Sequence, residues 1–163
     1  MIFERRIMKE NNPGFTLVEV MVVVFLMTII SITTPAIFSH LKRQSVQLAA
    51  DQICVDLQLA RVTAINKKRT CTILFNYPEK GQYTNTLTGA IQSLSGYHGK
   101  IHFMDKGPDD KEMANEIRFQ RRGMAFSKRA IYLSNETKSV IYRIRVMASG
   151  GISVLRWNGS NWQ

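Results

Sequence analysis

The sequence predicts an α+β chain in which one long N-terminal helix leads into a β-rich domain and helps to complete its core. Three observations carry this. The run Phe15–Ile32 is apolar with a single charge. Beyond it, apolar positions recur at a helical period to about Asn66. After Lys67-Lys68-Arg69 the period shortens to that of strands, broken by turn residues. The length of 163 residues suits one domain plus an anchor.

The N-terminal segment is read first. Phe15–Ile32 is 18 residues, enough for a membrane-spanning helix, which takes about 17–25. A secretory signal has a shorter apolar core and a small residue after it, whereas here Gly14 precedes the core. The leader Met1–Gly14 carries Arg5, Arg6 and Lys9, which keeps it cytoplasmic and puts the rest of the chain outside, although Lys42 and Arg43 oppose this on the far side. Glu19 is the exception in the run. A carboxylate in hydrocarbon costs roughly 3 kcal/mol, so Glu19 either reaches the interface or serves a function with a partner.

Gly14-Phe15-Thr16-Leu17-Val18-Glu19, with its basic leader and uninterrupted apolar helix, resembles the processing site of type IV pilins and pseudopilins. The resemblance implies cleavage after Gly14 by a membrane-embedded prepilin peptidase and N-methylation of the new terminal residue, Phe15. It also implies that Glu19 pairs with the terminal amine of a neighbouring subunit during assembly. It makes the segment both an anchor and an assembly module.

Pro35, preceded by Ser31-Ile32-Thr33-Thr34, predicts a bend or a locally melted turn between a membrane helix over 15–34 and an amphipathic continuation over 35–66. The continuation has two apolar stripes. Val46, Ala50, Ile53, Leu57, Ala60 and Ala64 form one. Leu41, Leu48, Val55, Leu59 and Val62 form the other, on nearly the opposite side. Two stripes mean burial on both sides. Either the first faces a sheet while the second faces other helices, or the chain's own strands and loops wrap both.

Over 67–163, strands are predicted at Thr70–Phe75, Gln82–Asn85, Lys100–Met104, Glu116–Gln120, Ala130–Ser134, Ser139–Ala148 and Gly151–Trp157. Ser149-Gly150-Gly151 joins the last two as a hairpin, and Asp105–Asn115 is a polar loop. Ile117-Arg118-Phe119, Arg122-Gly123-Met124-Ala125 and Ile131-Tyr132-Leu133-Ser134-Asn135, followed by a long strand, a glycine turn and a final strand, resemble the GspH/FimT group. These are minor pseudopilins of type II secretion and minor pilins of type IV pili. This likeness implies a long helix packed against antiparallel β-sheets.

No catalytic constellation, cofactor motif or metal site is evident. His98 and His102 lie beside Gly96 and Gly99 and run into a strand, where four residues span about 13 Å, too far for one metal. Asp105, Asp109, Asp110 and Glu112 lack calcium-loop spacing. Cys54 and Cys71 fit no zinc pattern, and a single bond between them needs an oxidising compartment.

The formal charge of +10 suits anionic partners such as nucleic acid or lipid headgroups, or simply solubility. Candidate phosphate contacts are Lys67, Lys68 and Arg69, the pair Arg143 and Arg145 on one strand face, and Arg156. In the FimT-type relatives, DNA binding involves a C-terminal Gly-Arg-x-Arg motif. Here Gly150-Gly151-Ile152-Ser153 stands in the last hairpin, and the next arginine is Arg156. Trp157 and Trp162 bracket Asn158-Gly159-Ser160-Asn161, a loop that brings the two indoles together to seal a hairpin end or to stack on bases.

The expected protein is therefore a non-enzymatic minor pilin or pseudopilin, processed by the peptidase and methylase and anchored in the bacterial inner membrane. Its N-terminus is cytoplasmic, its C-terminal domain periplasmic, and its partners are other pilin subunits. The alternative is a DNA-binding minor pilin for DNA uptake.

Overall fold

The computed structural model describes residues 14–163, without the side chains of residues 32–42. The chain falls into two units, Met1–Phe38 and Ser39–Gln163. Helix α1 (Leu17–Asn66) belongs to both.

In the first unit, Thr16 caps the helix. Its hydroxyl accepts a hydrogen bond from the Glu19 backbone N–H at 3.2 Å, and its carbonyl accepts from the N–H groups of Glu19 and Val20. Thr16-x-x-Glu19 thus has the spacing of a capping box, a start signal that also sets an acid in the first turn, where the helix dipole favours it.

The melted turn expected at Pro35 is absent, because α1 continues through it. Proline deletes one helical bond without having to end the helix. The poor helix formers before it are also tied in. The Thr28 hydroxyl donates to the Phe25 carbonyl at 2.6 Å, and the Ser31 hydroxyl to the Met27 carbonyl at 2.7 Å. The helix ends in a Schellman arrangement. Lys68 takes the left-handed conformation (φ 51°), with Lys68 N–H on the Ile65 carbonyl and Arg69 N–H on the Ala64 carbonyl.

The second unit builds two antiparallel sheets. The first contains β1 (Cys71–Phe75), β2 (Gln82–Asn85), β3 (Ile91–Ser93) and β5 (Glu116–Phe119), in the order β3-β2-β1-β5. The second contains β4 (His102–Phe103), β6 (Arg129–Ser134), β7 (Ile141–Val146) and β8 (Ile152–Arg156), in the order β4-β6-β7-β8. The β7–β8 hairpin turns at Gly150 (φ 84°), as its sequence predicts.

Strand β3 is the element the sequence reading missed. All of its residues are exposed, so it has no buried alternation to betray it. Strand β4 shrinks to two residues, His102 and Phe103, beyond which the Met104 N–H still donates to the Tyr132 carbonyl of β6 at 3.0 Å.

One core joins helix and sheets. Val46, Ala49, Ala50, Ile53, Leu57, Ala60 and Ala64 are buried from α1, against Ile73, Ile117 and Phe119 of the first sheet and Ile131, Leu133, Ile144 and Val146 of the second. Phe75, Tyr83 and Phe103 meet at ring-centroid distances of 5.5–6.3 Å and tie the two sheets together. Polar contacts flank the helix stripe. The Tyr83 hydroxyl donates to the Asp56 carboxylate at 2.5 Å, the Tyr142 hydroxyl to the Gln47 side-chain oxygen at 3.4 Å, and Arg61 Nε to the Gly123 carbonyl at 3.0 Å. Cys54 and Cys71 are both free, and burial raises both thiol pKa values.

Two predictions follow from this packing. Ile53→Ala removes a fully buried side chain and should lower the stability of the domain by about 2–4 kcal/mol, whereas Leu48→Ala, which is exposed, should change it by about 0.5 kcal/mol or less. Thermal melts of the full chain in detergent, followed by circular dichroism, separate these outcomes.

The second concerns Tyr83. Burial first, and the Asp56 carboxylate second, push its phenol well above the ordinary value near 10. Above pH ~10 the unfolded chain loses this proton while the folded chain keeps it, so this contribution to stability is complete below pH ~10 and falls as pH rises, by at most about 1.4 kcal/mol per unit. Tyr83→Phe should flatten the decline of melting temperature between pH ~10 and ~11.5.

Candidate functional site

Gly14 and Phe15, the expected cleavage junction, are both exposed; the rest of the leader, residues 1–13, lies outside the described residues. A Cβ placed on Gly14 meets nothing within 4 Å, so the fold itself does not require glycine there.

Every large apolar side chain described between Phe15 and Ile30 is exposed, on all sides of the helix. A helix that is apolar all round must be covered by something beyond its own chain. Among the described residues, no helix is long and apolar enough to cross a membrane. The expected span 15–34 runs on through residues 32–34, whose side chains lie outside the described set. Glu19 is exposed on this apolar surface, and its carboxylate has no partner among the described residues. Thr16 is the residue the sequence reading passed over, and the capping-box spacing was the signal for it.

The second helix stripe behaves differently from the first. Leu48, Val55, Leu59 and Val62 are 49–58% exposed, and Ile65 extends their row. Among the described residues no strand or loop wraps them, so of the two readings left open for this stripe, burial by the chain's own strands is not the one seen. Leu41, assigned to the same stripe, lies outside the described side chains.

The basic residues separate into two environments. Lys67, Lys68, Arg69 and Arg156 are exposed. Arg143 and Arg145 lie on the outer face of the second sheet and are half-buried. Arg143 Nη1 donates to Asp109 Oδ2 at 3.1 Å, and its guanidinium sits 4.3 Å from the Trp162 ring centroid.

Trp162 in turn packs on Trp157 (5.1 Å) and Tyr132 (5.9 Å). The loop between the tryptophans is held by Asn158, whose Oδ1 accepts from the backbone N–H groups of Ser160 and Asn161. The indoles therefore seal the tail onto the sheet, with Arg143 between tail and loop. Among the described residues no cluster of His, Cys, Asp and Glu has metal-binding geometry.

Comparison with known proteins bears on both halves. The family model of the prokaryotic N-terminal methylation motif matches residues 11–34. The crystal structure of the Pseudomonas aeruginosa type IV minor pilin FimU is similar to this fold, with a TM-score of 0.50, 17% identity, and coverage of 74% of this chain and 94% of that one. A second crystal form of FimU aligns with a TM-score of 0.47 at 16% identity, covering 72% of this chain and 96% of that one. No curated protein sequence matches. The chain thus carries a prokaryotic N-terminal methylation motif at the head of its helix, and the fold behind it, a helix seated on antiparallel sheets, is similar to that of a type IV minor pilin.

Proposed function

We propose that this chain is a minor pilin or pseudopilin of the GspH/FimT type, a structural subunit of a type IV pilus or a type II secretion pseudopilus. A prepilin peptidase cuts it between Gly14 and Phe15, and Phe15 is methylated. Residues 15–34 hold it in the inner membrane, with the N-terminus cytoplasmic and the domain periplasmic. Glu19 and the face formed by Leu41, Leu48, Val55, Leu59 and Val62 then draw it into a filament of pilin subunits. The observation that carries this is a single helix bearing far more exposed apolar surface than its own domain covers, headed by the methylation motif and an unpartnered carboxylate. A neighbouring subunit's terminal amine would supply the charge that Glu19 lacks among the described residues.

The DNA-uptake alternative rests on the exposed turn Lys67, Lys68 and Arg69 and on Arg156. Phosphate contacts there need only clustered cations and weaken with salt. They would leave the exposed helix face without a role.

The test combines N-terminal sequencing with co-purification of partner pilins from detergent-treated membranes. The wild-type chain should begin at Phe15 in cells with an active peptidase, and Gly14→Val should begin at Met1. Glu19→Gln preserves the capping-box side-chain type but removes the charge. It should be cleaved and inserted normally yet recruited poorly, as should Glu19→Leu. A wild-type chain that still begins at Met1, or normal recruitment of Glu19→Leu, overturns the assignment.

A further inference from the structure

Strand alternation places Ala130 and Tyr132 of β6, Arg143 and Arg145 of β7, and Ser153 of β8 on the outer face of the second sheet. The register sets Tyr132 beside Arg143, and Ala130 and Ser153 beside Arg145. The loop over 105–115 folds onto this face. Ala114 N–H donates to the Ala130 carbonyl at 2.9 Å, and a Cβ on Gly107 would come within 2.4 Å of the Tyr132 ring. Between the loop and the start of β6 lies a cavity of about 410 Å³, lined by Lys111, Lys128, Arg129, Arg143, Arg145 and Tyr132. Glu112 is the one acid in its wall.

Two features set this cavity apart from an ordinary solvated groove. The first is charge. Asp109 engages both Arg143 and Lys111, at 3.1 and 3.5 Å, while Arg145, Lys128 and Arg129 have no acidic partner among the described residues. Even after Asp109 and Glu112 are counted, positive charge is left over. The second is unmet hydrogen bonding. The donors Arg143 Nε, Arg145 Nε, Ser153 Oγ and Trp162 Nε1 are buried without a hydrogen-bond partner, while the Tyr132 hydroxyl lies beside the Asp109 carboxylate and Arg143. All such atoms among the described residues lie in this one region. A buried donor left without an acceptor is unfavourable unless a bound group satisfies it. Water can fill donors, but it does not neutralise clustered cations.

We infer that this cavity is a binding site for a phosphate dianion, either inorganic phosphate or a small phosphate monoester, held by Arg145 with Lys128 and Arg129 and backed by Arg143. A dianion matches the surplus charge better than a single carboxylate does. The guanidinium fork of Arg145 suits paired phosphate oxygens, and the lysine at the rim serves as a point charge. The loop over 105–115 walls the cavity on one side through Lys111, Glu112 and Ala114. This inference does not depend on the filament role.

Isothermal titration of the full chain in a phosphate-free, non-ionic detergent tests it, with inorganic phosphate and glycerol 3-phosphate as the two arms and acetate and a short DNA duplex as comparisons. Binding of the free ion alone marks inorganic phosphate as the ligand, and tighter binding of the ester marks a monoester. In both cases acetate should bind at least tenfold more weakly. Arg145→Gln should weaken phosphate binding at least tenfold, and Lys80→Gln, an exposed lysine outside the cavity, should leave it unchanged. Should Arg145→Gln fail to fold, Lys128→Gln, which is exposed at the rim, should still weaken binding about threefold or more. The inference is overturned by no saturable binding of either phosphate, by wild-type affinity in whichever variant folds, or by a duplex that binds more tightly than phosphate and loses affinity with Lys68→Gln.

Discussion

The structure depends on how the second half of α1 is seated. Ala49, Ala50, Ala60 and Ala64 are fully buried along one stripe, and their small side chains let the helix backbone approach both sheets closely. Ile53 and Leu57 fill the space between them. Asp56, Gln47 and Arg61 bond to Tyr83, Tyr142 and Gly123 on the flanks and so fix the rotation of the helix. A rotation of one residue, about 100°, would break all three bonds and push a leucine or valine into a space shaped for alanine. Because the alanine stripe is spent on the core, Leu48, Val55, Leu59 and Val62 have no option except to face outward.

The first half of the helix obeys a different constraint. Its described apolar side chains, from Phe15 to Ile30, are exposed. What it does have is a polar backbone satisfied from within. Thr16 closes the start, the Thr28 and Ser31 hydroxyls return to carbonyls of their own helix, and Pro35 does not interrupt the run. A segment that shows only side-chain hydrocarbon to its surroundings is the kind that a bilayer or a bundle of other helices accepts. Among the described side chains of this segment, the Glu19 carboxylate is left without a partner.

The outer face of the second sheet shows how a loop changes the meaning of a strand. Alternation alone puts Arg143 and Arg145 on a solvent face. The loop over 105–115 covers that face and supplies Asp109 to Arg143, and Trp162 of the tail lies over the same guanidinium. What remains open is a cationic recess rather than a flat basic stripe. Its walls come from segments far apart in sequence, and their charges gain strength from partial burial.

The sequence by itself determined the helix, its two stripes, most of the strands and the glycine-turn hairpin, because each is written in a local period or a single special residue. The alanines at 50, 60 and 64, and the alternation through Ile141–Val146, leave few other foldings. The T-x-x-E cap was equally legible and went unread. Tertiary structure alone decided the rest. Strand β3 exists only because β2 offers it an edge, since it has no buried face to mark it. Which helix stripe is covered followed from the sheets. The gathering of Lys111, Lys128, Arg129, Arg143 and Arg145 around one cavity followed from a loop folding across a strand register. Local pattern sets what each segment prefers. Which charges meet is set by contacts between segments distant in the chain, and no periodicity in a single stretch records those.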